Sequence, residues 1–440
     1  MNTETGTRVA YDIDDRPPPG EAGLLGVQHL VAMLLGNITP PLLIAGALGL
    51  PAESTAFLIQ AVLLMAGLAT IVQSYPIGPV GGRLPIMMGT SIAFVGAIIG
   101  IGRDLGLAAV FGACLAAAVV EVVLGAFIGR LRGLFPPLVN GTVVMLIGLT
   151  LIPVGMDYAA GGRGAADYGS LTNLGIAALV GLVTLGLNRY AKGFWRHGSM
   201  LVAVVVGYLV ALFLGRVDLG AVGSAGWLAA PRPLEYGLEF HLVPILVMGF
   251  VYVISTMETL GDIAGTLAAV GRRPTTRELR GGLLADGVLS GLAALFGAFP
   301  NTSYSQNVGL VNFTGVVSRH VTAIAGGMLV ALGLIPKVGA LFATIPPAVI
   351  GGGGLIMFAM IFASGMAIVH RDVTMDRRTM VILAVSVGIG LGVELRPEAL
   401  QHLPEGVKSF FGSGLVTGGL IALLLNLVFP TGRRSDNDPS

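Results

Sequence analysis

Apolar runs of about 20 residues recur from residue 23 to residue 429, and no other property restricts the folding of this chain so strongly. The run "LVAMLLGNITPPLLIAGALGL", residues 30–50, carries no ionisable group. A helix of about 20 residues crosses the hydrocarbon core of a bilayer. Apolar segments near 23–48, 54–74, 84–101, 105–129, 137–155, 171–189, 198–215, 240–267, 281–298, 302–316, 317–335, 346–369, 379–394 and 411–429 therefore predict fourteen spans. Charged residues make up 11% of the 440 and hydrophobic ones 54%. A soluble chain carries about 25% charged residues. Together with a mean hydropathy of +0.85, this points to an all-α polytopic membrane protein.

The remaining composition excludes partners more than it suggests them. A net charge of +1 gives no reason to expect a nucleic-acid partner. Cys114 is the single cysteine, so no intramolecular disulfide and no zinc spacing exist, and it reads as a small buried hydrophobe. No metal ligand set, nucleophile–base constellation or phosphate loop is present, so no cofactor and no enzymatic activity are expected. Residues 1–20, with "DIDDRPPPG", and 431–440, "TGRRSDNDPS", read as solvated tails.

Basic residues orient the spans. With both termini cytoplasmic, Arg130, Arg132, Arg189, Lys192, Arg196, Arg272, Arg273, Arg277, Arg280, Arg319, Arg371, Arg377 and Arg378 all fall in cytoplasmic loops. Arg103, Arg163, Arg216, Arg232, Lys337, Arg396 and Lys408 fall outside. The excess lies inside, as the positive-inside rule requires; an odd number of spans would scramble it.

The chain also resembles itself. "FPPLVNGTVVMLIG", 135–148, matches "IPPAVIGGGGLIMF", 345–358: Pro136-Pro137 aligns with Pro346-Pro347, Val139 with Val349 and Gly141 with Gly351, 210 residues on. Seven spans per half would invert the second copy, and inverted repeats with broken helices are a transporter design. The third and tenth segments are short and polar. "GGRLPIMMGTSIAF", 81–94, and "NTSYSQNVGLVNFTG", 301–315, each read as an extended piece leading into a helix. Unpaired backbone at membrane depth needs a partner, so a short strand at Tyr304-Ser305 is expected to face one from 85–88. Both following half-helices would then aim their N-terminal N–H groups at one cavity.

Ionisable groups inside spans are costly and usually functional. The candidates are His29, Glu121, Glu258, Asp262 and Asp286. Glu258 and Asp262 share a helix face at i, i+4, an arrangement suited to binding a proton. The plainer reading of Asp262 is a pair with Arg272 or Arg273, and that of Asp286, His29 and Glu121 is a structural bond to a neighbouring helix. Gln306 and Asn307 each offer a donor and an acceptor on a planar amide, which can pair with a heterocycle's edge as Asn and Gln do with adenine. A carboxylate, amides and backbone N–H groups suit a small flat molecule with adjacent N–H and C=O groups.

"QNVGLVNFTG" at 306–315, "ETLGD" at 258–262, "QH" at 28–29 and the "LP…GTS" region at 84–91 together resemble the nucleobase–ascorbate transporter family, also called nucleobase–cation symporter family 2. The likeness covers the chain between its tails. It implies fourteen spans in two inverted seven-span repeats, with short strands in spans 3 and 10. Core segments would cover 21–129 and 236–336, gate segments 130–235 and 337–430, with the substrate between core and gate. It further implies a homodimer in the plasma or inner membrane and a proton, or else sodium, as coupling ion. Glu258 and Gln306 would hold the base, supported by Asn307, Ser305, Ser91 and Ile92. Asp286, Asp262 and His29 would serve proton coupling. Ile92 stands where many members carry a stacking aromatic, with Phe94 beyond. Gln306 and Asp262 favour xanthine or urate over uracil. The rival outside the family is an anion carrier of the same architecture, which would want a basic residue near the half-helix ends and no carboxylate such as Glu258 or Asp262 facing them.

Overall fold

A chain this poor in charge must satisfy its backbone internally, because hydrocarbon offers no hydrogen bonds. The computed structural model describes residues 9–131, 136–192 and 194–429, and within them the chain is mostly helical. The first half runs α1 (Pro19–Ala47), α2 (Ala52–Ser74), β1 (Met88–Thr90), a 3-10 turn (Ile92–Phe94), α3 (Val95–Leu131), α4 (Pro137–Ala159), α5 (Leu171–Tyr190), α6 (Phe194–His197), α7 (Ser199–Phe213) and α8 (Gly220–Ser224). The second half runs α9 (Leu242–Ala268), α10 (Thr276–Leu295), β2 (Asn301–Ser303), α11 (Ser305–Thr314), α12 (Arg319–Gly333) and α13 (Pro336–Ala343). It continues with α14 (Pro347–Asp372), α15 (Arg377–Leu395), α16 (Glu405–Phe411) and α17 (Gly414–Val428). Arg132, Phe135, the first eight residues and the tail from 430 on lie outside the described residues.

Eight helices among the described residues are long and apolar enough to cross a membrane, or nine if α12 and α13, bent by 81°, form one broken span. This makes the protein a multi-pass membrane protein. One of the eight needs division. α3 is a 37-residue helical run, about 55 Å at 1.5 Å per residue, against a hydrocarbon core of about 30 Å. Gly106 breaks it with φ 83° and ψ 177°, at the second residue of the segment expected at 105–129 and close to the gap after 84–101.

The chain separates into two compact units: one holds residues up to 134 and 151–358, the other 135–150 and 359 onward. In the first, small residues let helix backbones approach, as in membrane bundles generally. A Cβ on Gly67 of α2 would lie 2.5 Å from the Gly326 carbonyl of α12, and one on Gly287 of α10 would lie 2.9 Å from the Val122 amide of α3. In the second unit the same device joins α4 to α14, where a Cβ on Gly365 would lie 2.5 Å from the Met145 amide. Element order repeats along the chain. α4 begins at Pro137 and α14 at Pro347, the spacing of the sequence repeat.

β1 and β2 form an antiparallel pair in which Met88 faces Ser303, Gly89 faces Thr302 and Thr90 faces Asn301. All six residues are buried. The Ser91 amide bonds to the Pro300 carbonyl at 2.9 Å and the Tyr304 amide to the Met87 carbonyl at 3.0 Å, extending the ladder at both ends. Flanking helices complete it: Asn37 Oδ1 accepts from the Thr90 amide at 2.7 Å, and Thr70 Oγ1 from the Met88 amide at 2.9 Å. The pair therefore differs in register from the one expected at 304–305 and 85–88. Pro85 has no N–H to give a ladder, and Tyr304 instead caps α11, whose first residue is Ser305.

Residues 10–15, expected as part of a solvated tail, are pinned to the α11–α12 junction. Ala10 bonds to the Gly315 carbonyl at 2.9 Å, the Val317 amide to Tyr11 at 2.8 Å and the Arg319 amide to Ile13 at 3.0 Å. Asp14 joins Arg319 Nε at 2.6 Å and Arg83 Nη2 at 3.4 Å. The Arg319 hydrogen bond holds the Asp14 carboxyl below the usual carboxylate range, helped by the nearby charge of Arg83.

Candidate functional site

The polar stretch at 301–315 divides into β2, the cap Tyr304 and the ten-residue helix α11. The Tyr304 carbonyl accepts from the Asn307 and Val308 amides at 3.0 and 3.3 Å. The Ser305 and Gln306 amides have no partner among the described residues. A helix start with free N–H groups attracts carbonyl oxygens and anions. Ser305 and Gln306 are exposed, whereas Asn307 is buried.

Asp262 fixes this junction in place. Its two carboxylate oxygens accept from Ser303 Oγ at 2.6 Å and Ser305 Oγ at 2.7 Å. The alternative, an ion pair with Arg272 or Arg273, does not occur among the described residues: Arg272 is committed to Glu278, with bonds of 2.6 and 3.1 Å. Asn307 is locked from the other side by α1. Its Nδ2 donates to the His29 carbonyl at 2.9 Å and contacts His29 Nδ1 at 3.1 Å. An amide N–H₂ can only donate, so that ring nitrogen accepts and the imidazole N–H sits on Nε2.

Glu258 differs from the other carboxylates. It is partly exposed, and it makes no hydrogen bond among the described residues. It lies one turn before Asp262 on α9, within electrostatic reach of Asp262, Asp286 and Tyr304. Asp286 is fully buried on α10 and accepts from Thr259 Oγ1. Ser91, directly after β1, is buried with its Oγ unpartnered, and Ile92 after it is partly exposed. Phe94 is fully buried against Tyr252, ring centroids 4.8 Å apart, and so has no face to offer a ligand.

The structure thus joins His29 to Asn307 and Asp262 to Ser305, and ties the Ser91 segment to the Gln306 segment through the strand ladder. No direct bond links Glu258 to Gln306 among the described residues; both stay open. Sequence reading missed the hydroxyls between these groups. Ser303 and Thr259 connect Asp262 to Asp286, and Thr256 reaches Glu121. Thr256 and Thr259, interleaved with Glu258 and Asp262 on one amphipathic helix, were the available signal.

Apolar spans wrapped around a buried carboxylate–hydroxyl network, with a polar helix start left open beside it, define a membrane carrier rather than a structural bundle. The chain belongs to the Permease family, the nucleobase–ascorbate transporters that its motifs resemble: the family profile matches residues 20–399. A Clostridium perfringens protein provisionally named a purine permease is 42% identical over 99% of this chain and 96% of its own. The uric acid transporter of Escherichia coli is 39% identical over 96% of this chain and 89% of its own. The xanthine permease of Bacillus subtilis is 36% identical over 93% and 94%. Among solved structures, the transmembrane domain of a cyanobacterial bicarbonate transporter shares the fold, with a TM-score of 0.63 at 16% identity over 96% of this chain and 100% of that one.

Proposed function

We propose that this protein is a proton-coupled nucleobase symporter that imports xanthine, urate or a related purine. One observation carries the reading: an unpartnered, partly exposed Glu258 carboxylate stands beside a helix start whose Ser305 and Gln306 amides and Gln306 side chain are free. An oxidised purine presents ring N–H groups next to C=O groups. The carboxylate accepts from the first, while the helix amides and the Gln306 amide serve the second. Asp262 and Asn307 hold this surface rigid from beneath, so its geometry exists before the cargo arrives. The names of the relatives support the purine choice, and Asp262, where uracil members commonly carry His, supports it over uracil.

The mechanism is alternating access without chemical conversion of the cargo. Fourteen spans form two inverted repeats of seven, a count supported by the Gly106 break and by the matched starts of α4 and α14. The core segments, 21–129 and 236–336, move against the gate segments once base and proton are both loaded. Both termini face the cytoplasm, the protein sits in the plasma or inner membrane, and two copies associate. Asp286, Asp262 and His29 serve the proton.

The shared fold of a bicarbonate transporter favours a second reading, an anion carrier. A carboxylate at the open helix start opposes it, because it repels the anion that the helix attracts.

Uptake of labelled xanthine in the wild type and in Glu258→Gln tests the assignment. Uptake should vanish in the variant while the protein still inserts; uptake at the wild-type rate refutes the role of Glu258. A panel of unlabelled bases, repeated with a protonophore, tests cargo and coupling ion together.

A further inference from the structure

Among the described residues, Glu121 on α3 is the one buried carboxylate that the transport reading leaves without a task. Its side chain is fully buried, as is that of Asp286. Glu121 Oε1 accepts from Thr256 Oγ1 at 3.4 Å, and Asp286 Oδ2 accepts from Thr259 Oγ1. The remaining oxygens, Glu121 Oε2 and Asp286 Oδ1, are both buried and unpartnered. α3 and α10 pack backbone to backbone at this level. A Cβ on Gly287 would sit 2.9 Å from the Val122 amide and 3.3 Å from the Ala118 carbonyl. Each carboxyl meets a threonine of the same stretch of α9, Thr256 and Thr259, three residues apart, so the closely packed α3 and α10 bring both to one face of that helix.

Among the described residues the ionisable groups around the pair are Tyr252, Glu258 and Asp262 on α9 and Cys114 on α3, and none is basic. The Tyr252 hydroxyl is committed to the Cys114 carbonyl at 3.0 Å. Two ionised carboxylates buried near each other without a basic partner are strongly disfavoured. A single carboxylic acid O–H from one to the open oxygen of the other satisfies both orphans at once.

We infer that Glu121 and Asp286 hold one proton between them and that Glu121 is thereby a further proton-positioning residue of this carrier, linked by hydroxyls to the substrate surface. The link is continuous. Asp286 meets Thr259, Thr259 meets Ser303 at 3.4 Å, Ser303 donates to Asp262 at 2.6 Å, and Asp262 accepts from Ser305 at 2.7 Å. Ser305 adjoins Gln306. For a proton to leave the pair along this chain, the Thr259 hydroxyl turns from Asp286 to donate towards Ser303 while its oxygen accepts from the pair, and Ser303 hands its own proton to Asp262. Thr259 and Ser303 each accept one proton and release one, ending as they began. Loading the base beside Asp262 and loading the proton on the pair then influence each other reciprocally.

The inference rests on the proposed transport function, so its test reads the pair in two ways. In liposomes containing the full chain, exchange of labelled for unlabelled xanthine is compared with accumulation driven by an imposed proton gradient, over a range of pH. In Glu121→Gln the ratio of driven accumulation to exchange should fall about tenfold or more, the size of an ordinary coupling energy, and its pH dependence should flatten. A wild-type ratio and pH profile in Glu121→Gln overturn the inference. A wild type that neither exchanges nor accumulates xanthine defeats the transport reading instead. Infrared spectroscopy of the purified chain stands apart from both. A protonated-carboxyl band at neutral pH should be present in the wild type and should weaken in Glu121→Gln and again in Asp286→Asn. Absence of that band from the wild type overturns the inference even if neither variant folds.

Discussion

At the residue scale, the burial of polar groups sorts the site. Asn307, Asp262 and His29 are buried and bonded to one another's neighbourhoods, whereas Gln306 and Glu258 are open. Substituting the two kinds should therefore have different signatures. Asn307→Ala removes both contacts to His29 and leaves buried acceptors unpaired, a loss of about 1–3 kcal/mol. It should lower thermal stability as well as uptake, as a melting curve in detergent would show. Gln306→Ala touches no internal bond. Stability should hold while affinity and the order of preferred bases change; an unaltered competition profile would remove Gln306 from the site. The sequence drew attention to these residues because ionisable and amide groups are conspicuous in an apolar chain. It did not show who holds whom. Asp262 bonds to Ser303 and Ser305 and not to Arg272 or Arg273, and nothing in one-dimensional spacing distinguishes these partners.

At the element scale, the strand pair and the N-terminal strap are the informative pieces. Gly89 in β1 is required by its surroundings: a Cβ there would lie 2.7 Å from Met33 Cε, 2.8 Å from Tyr304 Cε2 and 2.9 Å from Asn37 Oδ1. Gly89→Ala should cost about 1–3 kcal/mol through overpacking, measured by thermal unfolding, while a Gly96→Ala control, with open space at its Cβ, should not. The strap depends on the Asp14 carboxylate. Its folded-state pKa lies below the unfolded value, so its contribution is complete above the ordinary Asp range and is lost as pH falls through the depressed value. Amide exchange of residues 10–15 should accelerate only under that acidification, and Asp14→Asn should remove the pH dependence. Strand existence was legible from Gly, Pro and hydroxyl residues interrupting apolar runs. Register was not, because it is set by the missing N–H of Pro85 and by Asn37 and Thr70 from distant helices. The strap was illegible for a related reason: its backbone pairs leave no side-chain pattern, and Asp14 meets Arg319 and Arg83 only across the fold.

At the scale of the whole molecule, hydropathy marks helices far better than it marks their breaks. The apolar segments end at 101 and 335, near the Gly106 break and the α12–α13 junction, but give no hint that the chain stays helical across the first or bends by 81° at the second. A glycine's positive φ or a single proline decides these. The shared fold of bicarbonate and purine carriers shows why architecture alone leaves the cargo open. Ligand-induced stabilisation separates the two. Xanthine or urate at about 100 times its dissociation constant should stabilise the chain by about 2.7 kcal/mol, whereas bicarbonate should leave the melting temperature unmoved; the reverse pattern would favour the anion reading.

The ladder between Met88–Thr90 and Asn301–Ser303 has one more implication. It acts like the rivet of a pair of calipers, fixing how far apart the helix starts that follow it can stand. A gap set by backbone bonds does not widen to suit a bulkier visitor. A nucleoside, whose sugar hangs from the same ring, should be turned away by the frame itself, with no side chain assigned to bar the entrance.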